Sequence, residues 1–155
     1  MTSPPIAAPA KKKPATPRHR ARQFALQGLY QFLVGGQDQT AILAQAADVA
    51  GFDKIDHGLY ESLLAQTLSD SSALQEALTP YLDRPWAEVS PIERGILLLG
   101  AGEFKHFPQT PYRVVLNEAI ELARSYGGTD GHKFVNGVLD KLATQLRPEE
   151  ASRPK

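Results

Sequence analysis

From Leu116 to Leu142 the chain reads LNEAIELARSYGGTDGHKFVNGVLDKL, two amphipathic patterns joined by a glycine-bearing turn. Apolar residues there recur three and four apart, the spacing of one face of an α-helix. A chain built this way must bury two helical stripes against further helices. The remainder agrees. No segment alternates apolar and polar residues with period two for long, and β-branched residues are sparse, so strands find little support. The expectation is an all-α fold of about seven helices in two helical subbundles.

Cap signals set the boundaries. Residues 1–16, rich in Pro, Ala, Lys and Thr, read as a disordered basic extension. Thr16-Pro17 reads as an N-cap and first-turn proline, opening a helix that Gly35-Gly36 ends. Further helical patterns run over 41–50, 57–68 and from Ser71 to about Tyr81. Asp83-Arg84-Pro85 then breaks the periodicity and divides subbundles of about 17–83 and 86–148. Ser90-Pro91-Ile92-Glu93 has the pattern of a capping box, with serine at the N-cap and glutamate at the third helical position. Its helix runs to about Lys105. Thr110-Pro111 opens the next helix, and Thr129 or Asp130 the last, which ends before Arg147-Pro148. Residues 149–155 read as a flexible tail.

At 155 residues the chain suits one domain with an ordinary core. It has no cysteine, which removes disulfides, thiolate nucleophiles and zinc–thiolate sites and fits a reducing cytoplasm. No apolar stretch approaches the roughly 20 residues that span a bilayer. The basic N-terminus lacks the apolar segment of a secretory signal.

Net charge is zero, but the charges are sorted. Lys11, Lys12, Lys13, Arg18, Arg20 and Arg22 precede Gln23 with no acidic residue among them, leaving 11 basic and 17 acidic residues beyond. A cationic arm on an acidic body suits an anionic partner, against the plainer reading of a solvated tail. Arg18 and Arg22 share a face if the helix includes both, while Arg20 lies about 200° away. All three can reach one ligand only if part of the segment is extended. Arginine's planar fork suits phosphate.

Tyr126, Gly127, Gly128, Thr129, Asp130, Gly131, His132, Lys133 and Phe134 make a loop feeding a helix start. Free N–H groups there favour an anion, and Lys133 adds charge. The spacing is not that of a Walker A loop. An ordinary interhelical turn accounts for the glycines and the cap, but not for two aromatic residues flanking them beside His132 and Lys133. Phe134 lies at the edge of the stripe formed by Val135, Val138, Leu139, Leu142 and Leu146. There it either covers the core or offers a face to an unpaired base.

Nothing argues for catalysis. The four histidines (His19, His57, His106 and His132) lack ligand spacing, so neither metal nor cofactor is expected. Glu118 and Glu121, three apart, read as a solvated helical face. No serine or threonine stands in a nucleophile-elbow setting.

ARQFALQGLYQ (Ala21–Gln31), IERGILLLGAGEF (Ile92–Phe104) and PYRVVLNEAIELARSYGGTDGHKFVNGVLDKL (Pro111–Leu142) resemble signatures of the bacterial NusB transcription factors. The resemblance covers about Arg18 to Pro148 and is most specific from His132 to Leu139. It implies two three-helix bundles and a non-enzymatic, cytoplasmic role in transcription antitermination. Such proteins pair with the ribosomal protein that doubles as NusE. The pair binds single-stranded boxA RNA and works with NusA, NusG and RNA polymerase, chiefly on ribosomal RNA operons.

Carried onto this chain, the resemblance implies phosphate contacts for Arg18, Arg20 and Arg22. It puts Tyr30, Tyr126, Asp130 and Phe134, with His132 and Lys133 beside them, at or near the RNA surface. Glu93 falls in the partner-facing region. Lys11–Lys13 have no counterpart in the simplest members. Two other readings compete: a protein–protein adaptor with an incidental basic arm, and an accessory domain like those preceding RNA cytosine methyltransferases. The second is disfavoured because no cofactor-binding βα unit accompanies these helices.

Overall fold

The computed structural model describes residues 15–151, so the Lys11–Lys13 run and most of the expected extension lie outside the described residues. Within them the fold is helical, without strands: α1 (Pro17–Gly35), α2 (Gln39–Ala46), α3 (His57–Ser69), α4 (Ser71–Leu78), α5 (Pro91–His106), α6 (Tyr112–Tyr126), α7 (Gly131–Leu146) and α8 (Pro148–Ala151).

The caps explain most boundaries. Thr16 accepts from the His19 amide with Pro17 in the first turn, and Gly36, at φ 67°, closes α1 in the left-handed region that glycine tolerates. Helix α2 starts two residues before the expected Ala41, because Asp38 accepts from the Ala41 amide. It ends at Ala46 rather than at Ala50. Asp56 caps α3 through the Leu59 amide, and its own amide donates to the Pro17 carbonyl. The starts of α1 and α3 are thereby held together.

Helix α5 is the axis of the molecule. Every residue from Gly95 to Phe104 is buried, as expected of a helix apolar around most of its circumference. It lies against α1, α3, α4, α6 and α7. Such crowding needs small residues at the crossings. A Cβ on Gly100 would stand 2.7 Å from Leu139 Cδ1, and one on Gly102 2.6 Å from Thr67 Oγ1. Leu26, Leu29, Leu63, Leu97 and Leu139 are fully excluded from solvent, each contributing about 1.5–3 kcal/mol by burial.

The C-terminus differs from expectation. Arg147 is buried and donates to the Phe104 and Phe107 carbonyls at 2.8 and 2.9 Å. It also pairs with Glu150 at 2.6 Å, and Glu150 accepts from the Tyr112 amide. These anchors fold residues 148–151 into α8, the eighth α-helix among the described residues, in place of the expected frayed end.

Candidate nucleic-acid interface

Because α1 begins at Pro17, Arg18, Arg20 and Arg22 are all helical. Arg20 points away from the other two, as angular spacing requires, while Arg18 and Arg22, one turn apart on one side, differ in burial. The Arg18 side chain is about half exposed, with Nη1 3.4 Å from an Asp56 oxygen. Arg20 is half-buried and donates through Nε to the Ala15 carbonyl at 3.2 Å. Both present positive charge near the start of the described chain.

Arg22 does not. It is 3% exposed, with Nε 3.0 Å and Nη2 2.5 Å from the two Glu103 oxygens. Its Nη1 stands 3.4 Å from Glu118. Its fork is spent on an interior carboxylate, so the expected phosphate contact is corrected to an interior ion pair. Glu118, expected on a solvated face, also accepts from His19 Nδ1 at 2.7 Å. Burial pushes the Glu118 carboxyl upward, but the hydrogen bonds and charges of His19 and Arg22 outweigh it and hold it below the usual range. Glu121 is exposed as expected, beside Arg124. Arg22, Glu103 and Glu118 line a small cleft with Ile96, Gly100 and Leu122.

The second cluster surrounds the α6–α7 turn. Ser90 supplies its half of the expected capping box, accepting from the Glu93 amide at 3.2 Å. Glu93 does not return the bond to its own helix start. Its carboxylate turns into the glycine turn, where Oε2 accepts from the Gly128 amide at 3.4 Å. A Cβ on Gly131 would lie 2.5 Å from that oxygen, so glycine there makes room for the carboxylate. Glu93 is 8% exposed, which corrects its expected placement on a partner-facing surface: its carboxylate braces the turn from inside.

Asp130 occupies the N-cap position of α7 without a side-chain capping bond; its carbonyl instead accepts from the Lys133 and Phe134 amides. The carboxylate is exposed, 3.6 Å from an equally exposed Lys133 ammonium. His132 and Phe134 are half-buried. Tyr126, the last residue of α6, packs against the core with Phe134, and burial raises its hydroxyl pKa. Tyr126, Asp130, His132, Lys133 and Phe134 therefore do gather at one turn. Tyr30 is half-buried on α1, about three turns beyond Arg20, on the arginines' helix rather than at the turn.

One participant carries no sequence signal. The Arg84 guanidinium carbon lies 4.5 Å from the centre of the Phe134 ring, and Arg84 also pairs with Asp83 through Nε and Nη2 at 2.7 and 3.1 Å. In sequence Asp83-Arg84-Pro85 reads only as a break, because a linker's periodicity says nothing about which distant ring it meets. Among the described residues no group of three His, Asp or Glu side chains converges as a metal site requires, and no helix is long and apolar enough to cross a membrane.

The all-helical frame, with an exposed and a half-buried arginine at one helix start and cations beside half-buried rings at an interhelical turn, has the makings of a helical binding module. Comparison with known proteins gives its kinship. The model of the NusB family matches residues 19–144, and the chain belongs to the NusB family. The transcription antitermination protein NusB of Aromatoleum aromaticum is 57% identical over 135 residues, covering 87% of this chain and 93% of that protein. The protein of the same name from Ralstonia pickettii is 49% identical, covering 98% of each chain. Among solved structures, T. maritima NusB superposes with a TM-score of 0.75 at 27% identity, covering 91% of this chain and 98% of that one. A chain of the crystal structure of the antitermination factors NusB and NusE with double-stranded RNA matches with a TM-score of 0.71 at 20% identity, covering 83% and 97%.

Proposed function

We propose that this protein is a transcription antitermination factor that binds RNA jointly with a NusE-type ribosomal protein and performs no catalysis. The observation that carries the reading is the gathering of Tyr126, His132, Lys133 and Phe134, with Arg84 over Phe134, at one turn. This lies in a chain whose relatives at about half identity bear the antitermination name. Cations position phosphates, while rings and base edges give sequence preference. Ring faces suit unpaired bases, so the favoured ligand is a single-stranded boxA-like element. The double-stranded RNA in the solved relative's complex belongs to that assembly.

In this reading Arg18 and Arg20 hold phosphates, with Tyr30 about three turns further along α1, and the turn receives bases. Asp130 weakens the grip by repelling phosphate. Residues 17–83 and 86–148 act as two subbundles, and NusA, NusG and RNA polymerase complete the assembly in the cytoplasm. NusE meets a surface near the Glu93 turn, with the Glu93 carboxylate itself supporting the turn rather than touching the partner.

The test is titration of a boxA-like single-stranded RNA and a scrambled control, with and without NusE. Preferential binding that strengthens with NusE supports the proposal. Equal binding to both RNAs reduces the cations to a nonspecific tether, and absence of binding leaves only a protein–protein role.

A further inference from the structure

Arg84 sits in the short segment between α4 and α5, on no helix of its own. Two partners contact it. Asp83 grips Nε and Nη2, a fork-to-carboxylate arrangement that sets the plane of the guanidinium. Phe134 offers its ring at 4.5 Å, well within cation–π range. The Arg84 side chain remains 40% exposed, so part of the guanidinium faces solvent. The next residue, Pro85, holds φ at −59° and limits the linker's freedom.

This arrangement bears on how Phe134 can meet a base. One face of the ring is already occupied by Arg84. A base approaching from that side must either evict the guanidinium, breaking two charge-assisted hydrogen bonds to Asp83, or settle on it. Settling breaks neither, and planar guanidinium groups stack with bases as aromatic rings do. The exposed Lys133 ammonium, one residue from Phe134, supplies a cation for the adjoining phosphate.

We infer that Arg84 is itself a base-stacking residue, and that Phe134, Arg84 and one unpaired base of the bound RNA form a single stacked column. The inference rests on the RNA-binding reading above. Asp83 orients the guanidinium and offsets much of its charge, so Arg84 contributes through its planar face more than through attraction to phosphate.

The experiment uses the full chain with NusE. BoxA-like single-stranded RNAs carrying 2-aminopurine at successive positions are titrated against wild type, Arg84→Lys, Arg84→Ala and Arg20→Ala across a salt series. Thermal melts confirm that each variant is folded. One 2-aminopurine position should be quenched by wild type and lose that quenching in both Arg84 variants. Their affinity should fall about tenfold, and the salt slope of the lysine variant should equal that of wild type, because its charge is kept. If both Arg84 variants bind and quench like wild type while Arg20→Ala binds weakly, the inference fails and the RNA-binding reading stands. If Arg84→Lys behaves as wild type and Arg84→Ala loses about 0.7 in slope, Arg84 is a phosphate contact and the stacking column is refuted. If wild type binds no RNA, both readings fall.

Discussion

Arg22 and Glu103 face each other across the α1–α5 contact with both hydrogen bonds of a two-pronged pair in place, each residue 3% exposed. Glu118 adds a third charge from α6. Charges buried this way tie three helices into one register, and the sidedness of the network is steep. Removing one member strands its partner without water, whereas removing both leaves only a packing change.

Arg22→Ala or Glu103→Ala alone should therefore cost about 3–5 kcal/mol of stability, read as a lowered urea midpoint. Arg22→Met combined with Glu103→Leu should recover most of that loss. A double variant as unstable as the sum of the singles would show that the pair is not the unit described.

Acid should loosen this network and a second one at the end of α5. The Glu118 carboxyl is held low against the opposing effect of burial. The Asp70 carboxyl is held low chiefly by a hydrogen bond from Lys105, with burial opposing and His106 assisting. Carboxylates that titrate lower in the folded chain than in the unfolded one give stability that is full above the unfolded pKa, about 4. That stability drains away as pH falls through the lowered native value. Urea midpoints should thus hold steady from neutrality to about pH 5 and fall as pH drops below about 4. Glu118→Gln should start lower at neutral pH and fall less steeply below that point. Equal slopes for wild type and variant would show that Glu118 has no part in the acid response.

The helices are legible in the sequence because their signals are local. Thr16-Pro17, Ser90-Pro91 and Gly36 act within a few residues of themselves, and periodicity marks the buried side of α7. The destinations of long polar side chains are not legible. Arg22 looks like Arg18 and Arg20 in sequence, and only the packing of α1 on α5 and α6 sends it inward to Glu103 and Glu118. Glu93 satisfies the capping-box pattern, yet the glycine turn 35 residues away makes room that draws its carboxylate off. Arg84 carries no motif at all; its meaning lies in meeting Phe134 from a different part of the chain.

Close helix approach predicts a further cost. At Gly100 an added methyl group would reach 2.7 Å from Leu139 Cδ1, in a core with no exposed edge at either residue. Gly100→Ala should gain about 1 kcal/mol in helix propensity and lose more through overpacking, for a net loss of about 1–2 kcal/mol by chemical denaturation. Unchanged or increased stability would mean that the Leu139 side chain or the α5–α7 spacing yields at little cost.

Asp130 offers a change on the surface. Its carboxylate is exposed, makes no capping bond, and stands beside Lys133. Asp130→Asn should leave the melting temperature nearly unchanged while removing repulsion towards phosphate and freeing Lys133. RNA affinity should rise by about two- to fivefold, the scale of an exposed charge pair. Weaker or unchanged binding would contradict the placement of RNA at this turn.

In the proposed function the chain meets RNA through Arg18 and Arg20 on the outside of α1, while Arg22 is held inside. The most direct measurement is the salt dependence of boxA-like RNA binding, with NusE present, for wild type and for Arg18→Ala with Arg20→Ala. On a single strand, each arginine that neutralises one phosphate should add about 0.7 to the steepness of the log–log slope. The double variant should therefore be shallower by about 1.4 and bind more weakly at low salt. An unchanged slope and affinity would contradict this placement of the RNA.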